Sequence, residues 1–251
     1  MKVWHSFLLA LLSLLLFNLA GAKDFSVECI SLPEGLVACW QADNSDTTLQ
    51  DRAGNGLTGV CSGEKQKPTL VETEIGPAFH FTHVGESGGP SVKIKTSSLI
   101  NPPAPEFTIA AWIKLDAEAK TQHNRILRLK DSYHLMVTWS KLSFDYETEK
   151  NEKIAYTSPE DFERKIFPGK WYFVAVTHDR VRVRMYINGM MVLDEKARGY
   201  PRASKANNNL ILGNYCSSFT NGTFRGILGP VLMFNRALAQ EDILKTIAAF
   251  L

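Results

Sequence analysis

Long apolar runs are missing from this sequence once its first two dozen residues are passed. Phe7 to Leu16 is almost wholly apolar. That is short of the roughly 20 residues that a membrane-spanning helix needs, and no second run follows, so no transmembrane segment is expected. An excess of one charge is also missing: 28 basic residues stand against 26 acidic ones. That balance excludes a dedicated nucleic-acid binder, whose affinity comes mostly from net basic charge. Cysteine is scarce, and none of its four copies forms a C-x-x-C pair, which argues against a structural zinc site. G-x-S-x-G is absent, and His178 sits inside an alternating strand pattern rather than in a nucleophile–base context. No internal repeat, low-complexity tract or Ser/Gly-rich linker divides the chain, so residues 23–251 read as one domain.

The N-terminus has the parts of an export signal. Lys2 gives the positive start, the apolar run follows, and Ala20-Gly21-Ala22 supplies small residues at a cleavage site. Residues 1–22 are therefore expected to be removed, leaving a secreted, extracellular chain. Cys29, Cys39, Cys61 and Cys216 all lie in the mature part. An even count in an exported chain reads as two disulfides with three possible pairings. The expected one joins Cys29 to Cys39 across Leu32-Pro33-Glu34-Gly35, and Cys61 to Cys216. Asn221-Gly222-Thr223 is an N-glycosylation sequon in turn-like sequence.

Gly169 to Asp194 carries the strongest structural signal. Val181, Val183, Met185 and Ile187 alternate with Arg182, Arg184 and Tyr186, which puts apolar side chains on one strand face. Asn188-Gly189 follows, and Met191-Val192-Leu193 resumes the apolar run. Asn-Gly between such runs predicts a tight hairpin, because both turn residues must take positive φ. Similar patterns occupy Leu36–Trp40, Leu57–Val60, Ala78–Phe81, Ser91–Lys95, Phe107–Leu115, Asn124–Leu129 and Tyr133–Thr138. They continue in Lys141–Tyr146, Lys153–Thr157, Leu210–Leu212 and Ile227–Phe234. From Gln240 to Phe250, Ile243, Leu244, Ile247 and Ala248 fall at helical spacing behind Glu241 and Asp242. Many short strands with turn signals and one terminal helix predict an all-β, two-sheet antiparallel β-sandwich.

The segments GLVACW, DRAGNG, GPAFHF, FTIAAWIKL, GKWYFVAVTHD, VRMYINGMMV, LILGN and FRGILGPVLMFNRALAQEDI occur in this order over nearly all of Leu36 to Leu244. Together they resemble the laminin-G-like jelly rolls of the concanavalin A-like lectin/glucanase superfamily, to which the pentraxins are related. The resemblance implies a jelly-roll fold and a non-enzymatic role in glycan binding or extracellular adhesion. Its partner would be an extracellular glycan or glycoprotein. A protein-binding adhesive module is the alternative, and a glycoside hydrolase the third reading.

Candidate sites follow from that choice. Trp139, in Thr138-Trp139-Ser140-Lys141, reads as a hairpin corner where an exposed indole could stack on a sugar ring. Arg182 and Arg184 share a strand face and could pair a carboxylate or sulfate, with Lys141, Lys196, Arg198, Arg202 and Lys205 nearby. The alternative is an ordinary solvated sheet face. Trp40, Trp112 and Trp171 sit in apolar strands and are expected in the core. The resemblance implies calcium as a possible ion, with Asp51 and the carbonyls of its loop as ligands. Many relatives carry an Asp-Glu pair where this chain has Gly229-Pro230, and the acidic pentraxin loop falls at Asn214-Tyr215-Cys216. Glu147, Glu149 and Glu152 have the spacing of the family's catalytic carboxylates, with Glu at the middle position, in what reads as a solvated hairpin tip. His80 and His83, three apart, would face opposite ways on a strand.

Overall fold

The structure is a computed structural model that describes residues 28–43, 45–63, 66–82, 89–101, 103–119, 123–205, 207–214 and 222–251. The expected signal segment 1–22, His83, Cys216 and Asn221 lie outside the described residues.

Strands β1 (Leu36–Ala42), β2 (Thr48–Asp51), β3 (Gly59–Ser62), β4 (Thr69–Val71), β5 (Ala78–Phe81) and β6 (Ser91–Lys95) come first. Then follow β7 (Phe107–Leu115), β8 (His123–Leu129), β9 (Tyr133–Thr138), β10 (Lys141–Glu147) and β11 (Lys153–Thr157). The last are β12 (Trp171–His178), β13 (Arg182–Ile187), β14 (Met190–Lys196), β15 (Asn209–Leu212) and β16 (Gly226–Phe234), before helix α1 (Gln240–Ala248). Hydrogen bonding runs unbroken in the order β11-β10-β9-β8-β15-β6-β3-β2-β1-β16-β7-β12-β13-β14, with β5 joining β16 and β4 joining β5. The ladder folds back on itself to make two leaves, a jelly-roll sandwich. Phe107 of β7 meets Phe144 of β10 across the interior, ring centroids 6.0 Å apart. One large core holds the inward side chains of both leaves, Ile109, Ala111 and Ile113 among them, together with Leu135 and Val137.

Period-two patterning explains the long strands. In β7, Phe107, Ile109, Ala111, Ile113 and Leu115 all reach the main core. The other face of the same strand is buried as well. Ala110 and Trp112 join Phe173, Ala175, Tyr186, Leu232, Ile243 and Phe250 in a second cluster. Helix α1 and the N-terminal Cys29 segment cover that outer face, and the Cys29–Cys39 disulfide clamps the segment down. Two expectations fail around β13. Tyr186 is buried, not on a polar face, and Val181 lies ahead of β13 and is exposed. On α1, Leu244 and Ala248 point out while Thr246 is buried, because Thr246 Oγ1 satisfies itself on the Asp242 carbonyl at 2.7 Å.

Pro230 sits in β16, a strand paired on both edges, where proline fits only at an irregularity. It has one: the register slips between Leu228 and Val231, where β16 leaves its partner β5 and takes up β1. Asn188 and Gly189 both have positive φ, 49° and 80°, and close the β13–β14 hairpin as expected. The expected second disulfide is corrected. Cys61 is a buried free thiol on the core side of β3, and burial pushes its pKa up to about 11.

Candidate functional site

The β9–β10 hairpin turns through two residues, Trp139 and Ser140, between the paired Thr138 and Lys141. Both take left-handed φ, 50° and 64°. That conformation costs an L-residue other than Gly roughly 1–2 kcal/mol, and Asn-Gly would relieve it. The strained corner puts the Trp139 side chain in solvent, 61% exposed. Beside it lies a cleft of about 230 Å³, floored by Leu115, Val137 and Ile166 and edged by Asn124, Ser140 and Glu160. The Ile166 amide donates to the Ser140 carbonyl at 2.8 Å, and Lys141 reaches Glu160 at 3.7 Å, so the far wall is tied to the turn. An apolar floor, polar edges and an open indole suit a sugar ring, whose one face is apolar and whose rim is hydroxylated. Trp40 lies in the main core as expected and donates to the Leu57 carbonyl at 2.6 Å, whereas Trp112 is buried in the second cluster on the outer face, where the half-buried Trp171 meets it edge to face.

Arg182 and Arg184 are not part of this cleft. Arg184 bonds Asp179 at 2.6 Å and stands 3.4 Å from Asp194, and Arg182 bonds Asp194. Partial burial raises the Asp179 carboxyl's pKa, but hydrogen bonds from Arg184 and the amides of Arg182 and Val181 outweigh that and hold it below the ordinary carboxylate value. Each guanidinium already has its carboxylate, so an acidic ligand would have to displace Asp179 or Asp194. The expected acidic-glycan cradle does not form here.

Asp51 does not present ligands to calcium. Its Oδ1 accepts the amides of Cys39 (3.2 Å) and Ala53 (3.1 Å), and its Oδ2 those of Asn55 and Leu57 (both 3.1 Å). Four N–H dipoles aimed at both oxygens repel a cation there, and Asp51 acts as the organiser of the Asp51–Gly56 loop. Among the described residues no three of His, Cys, Asp and Glu converge as a metal site. Glu147 is bound to Arg202 at 2.7 Å, while Glu149 and Glu152 stand exposed in the β10–β11 turn, a solvated tip. His80 contacts both oxygens of Asp116 at 3.0 Å.

Residues 196–205 form a strap bonded to the neighbouring strands. Tyr156 donates to the Lys196 carbonyl at 3.1 Å, and Tyr146 to that of Gly199 at 3.2 Å. His178 Nε2 donates to the same Gly199 carbonyl at 3.1 Å, and its Nδ1 accepts the Arg180 amide at 3.1 Å. Both ring nitrogens are used by the neutral form, and burial lowers the pKa of His178 while Gly199 and Asp179 pull weakly the other way. Tyr200 donates to Pro103 and Ala104.

A second concavity escaped the sequence reading. On the outer face of β8–β11, Arg128, His134, Asp145 and Ala155 lie in one cross-strand row. The signal was Ala155, a small residue at an exposed position of an alternating strand whose neighbours on that face are Lys153 and Thr157.

Residues 86–244 match the family described as the concanavalin A-like lectin/glucanases superfamily. The chain belongs to that superfamily. No curated protein sequence is significantly similar to this superfamily member. Its fold resembles the binding domain of Paraclostridial Mosquitocidal Protein 1, with 15% identity and TM-score 0.66 over 84% of this chain and 51% of that one. It also resembles domain 4 of AbnA, a GH43 extracellular arabinanase from Geobacillus stearothermophilus, in complex with arabinotriose. There identity is 19% and TM-score 0.62, over 84% of this chain and 97% of that one. The binding domain of botulinum neurotoxin DC in complex with SialylT is similar at 16% identity and TM-score 0.62, over 87% of this chain and 52% of that one. The chain thus spans about half the length of the two toxin domains. At such identities the likeness establishes the fold, not the ligand.

Proposed function

We propose that this superfamily member is a secreted, non-enzymatic, lectin-like module that binds extracellular glycans or glycoproteins at the Trp139 cleft. The observation that carries the reading is an exposed indole held in a strained turn beside a cleft with an apolar floor and polar edge. Domain 4 of AbnA was solved with arabinotriose and the neurotoxin domain with SialylT, which supports a sugar as the ligand class. A binding role without catalysis is supported by Glu147, the first carboxylate of the glucanase-like spacing, being engaged by Arg202. Export rests on the signal-like residues 1–22 and is supported by the Cys29–Cys39 bridge, which suits an oxidising compartment.

Tryptophan fluorescence tests it. Titrating a bound oligosaccharide is expected to change emission in the wild type and to leave Trp139→Phe emission flat. Equal changes in both proteins would place the sugar elsewhere.

A protein-binding role has one observation in its favour. Met190 and Met191 at the β13–β14 turn, and Leu244 on α1, are each more than two-fifths exposed, and Leu244 packs against Gly189 of that turn.

A further inference from the structure

We infer that the groove on the outer face of β8–β11 is a second sugar subsite, working with the Trp139 cleft to hold an extended oligosaccharide. The inference rests on the lectin reading above. The groove measures about 220 Å³ and is lined by Arg125, Arg128, His134, Asp145, Lys153 and Ala155. Its floor is the cross-strand row Arg128–His134–Asp145–Ala155. His134 Nε2 meets Asp145 Oδ2 at 2.8 Å, so this pair is set in place before any ligand arrives.

Three features point to a hydroxylated ligand. First, the Asp145 carboxylate and the Arg128 guanidinium stand on one floor, and a vicinal diol can donate to a carboxylate while accepting from a guanidinium. Second, the lining charges nearly cancel: Arg125, Arg128 and Lys153 stand against Asp131, Asp145 and Glu147. An inorganic anion or a bare cation has no preferred place in such a mixture. Third, the ends are built rather than loose. Arg202 bonds Glu147 at 2.7 Å on one side, and on the other Arg198 donates to the Ala155 carbonyl at 2.6 Å while lying 4.9 Å from the Tyr156 ring. Both arginines come from the strap between β14 and β15.

Ala155 makes the concavity. Exposed strand positions favour β-branched or long side chains, and Lys153 and Thr157 flank it on the same face. Any large residue at 155 would fill the groove. Asp145 lies six residues beyond Trp139 along the same hairpin, about 20 Å at the rise of an extended strand. An oligosaccharide of several units has the length to span that distance, and linked weak contacts then gain by effective concentration.

Ala155→Trp tests this. The position is exposed and tryptophan suits a strand, so the variant is expected to fold with an unchanged far-UV spectrum. Maltotetraose, cellotetraose, a chondroitin sulfate tetrasaccharide and sialyllactose are titrated into the ¹⁵N-labelled domain. For at least one sugar, the amides of His134, Asp145 and Ala155 are expected to shift together with the Trp139 indole N–H. Ala155→Trp should abolish the first set and weaken binding by at least about tenfold, while Trp139→Ala keeps the groove shifts at reduced affinity. Shifts at Trp139 alone, with affinity unchanged in Ala155→Trp, would overturn the second subsite and leave the lectin reading standing. No shift anywhere would overturn both. Should Ala155→Trp misfold, Ala155→Arg and Asp145→Asn carry the same expectation and the same contrary result.

Discussion

Trp139 stands in a backbone conformation that its side chain disfavours, next to a serine in the same state. Asn-Gly would relieve that strain, and under the proposed lectin reading the indole is retained for what it presents. The double substitution Trp139→Asn, Ser140→Gly is expected to raise unfolding free energy by about 1–2 kcal/mol and to end sugar binding. Urea melts beside the binding assay check both parts; a variant that is more stable and still binds would show the turn to be incidental. At His178 the consequence is one of pH. Its pKa is lowered chiefly by burial, so the unfolded chain takes up a proton near pH 6.5 that the folded chain still refuses. Stability is therefore full above pH 6.5 and declines as pH falls below it, towards the lower folded value. His123 shifts the same way, through burial and then Arg125, and adds to the slope. Urea midpoints at pH 7.5 and 5.0 are expected to differ in that direction, with a smaller difference in His178→Gln.

At the scale of elements, the strands were the legible part. Phe107–Leu115, Tyr133–Thr138 and Lys153–Thr157 have the expected limits because each alternates cleanly and is bounded by turn chemistry. The strap was not legible. What holds it are side-chain bonds to carbonyls many tens of residues away, Tyr200 to Pro103 and Ser132 to Arg202 among them, and no local pattern announces these. Composition instead suggested a loop of basic ligands. The outward faces of β13 and α1 were misjudged for a related reason. Alternation shows two faces but not that α1 and the disulfide-bound N-terminus cover the second one, so Tyr186 looked polar-facing and Leu244 looked buried. Cys29→Ser with Cys39→Ser is expected to lower stability by about 2–3 kcal/mol, the loop-closure value for a bridge spanning 10 residues. A loss below about 1 kcal/mol in denaturant melts would mean that α1 alone seals the outer face.

For the whole molecule, the fold could be read from the order of the strand motifs, whereas of the candidate site only Trp139 could be read. Arg182, Arg184 and Asp51 are the residue types that bind glycans or calcium, and the sequence could not show that Asp179, Asp194 and four backbone amides already hold them. Because the Asp51 oxygens are so engaged, sugar binding is expected to persist unchanged in EDTA. Loss of binding in chelator, restored by calcium, would contradict that assignment. The measurement that bears most directly on the account is a glycan array probed in parallel with the disulfide-intact wild type and Trp139→Ala. The account predicts a defined set of bound glycans for the wild type and signals at least about tenfold weaker for Trp139→Ala. The same glycans bound equally by both proteins, or none bound by either, would contradict it.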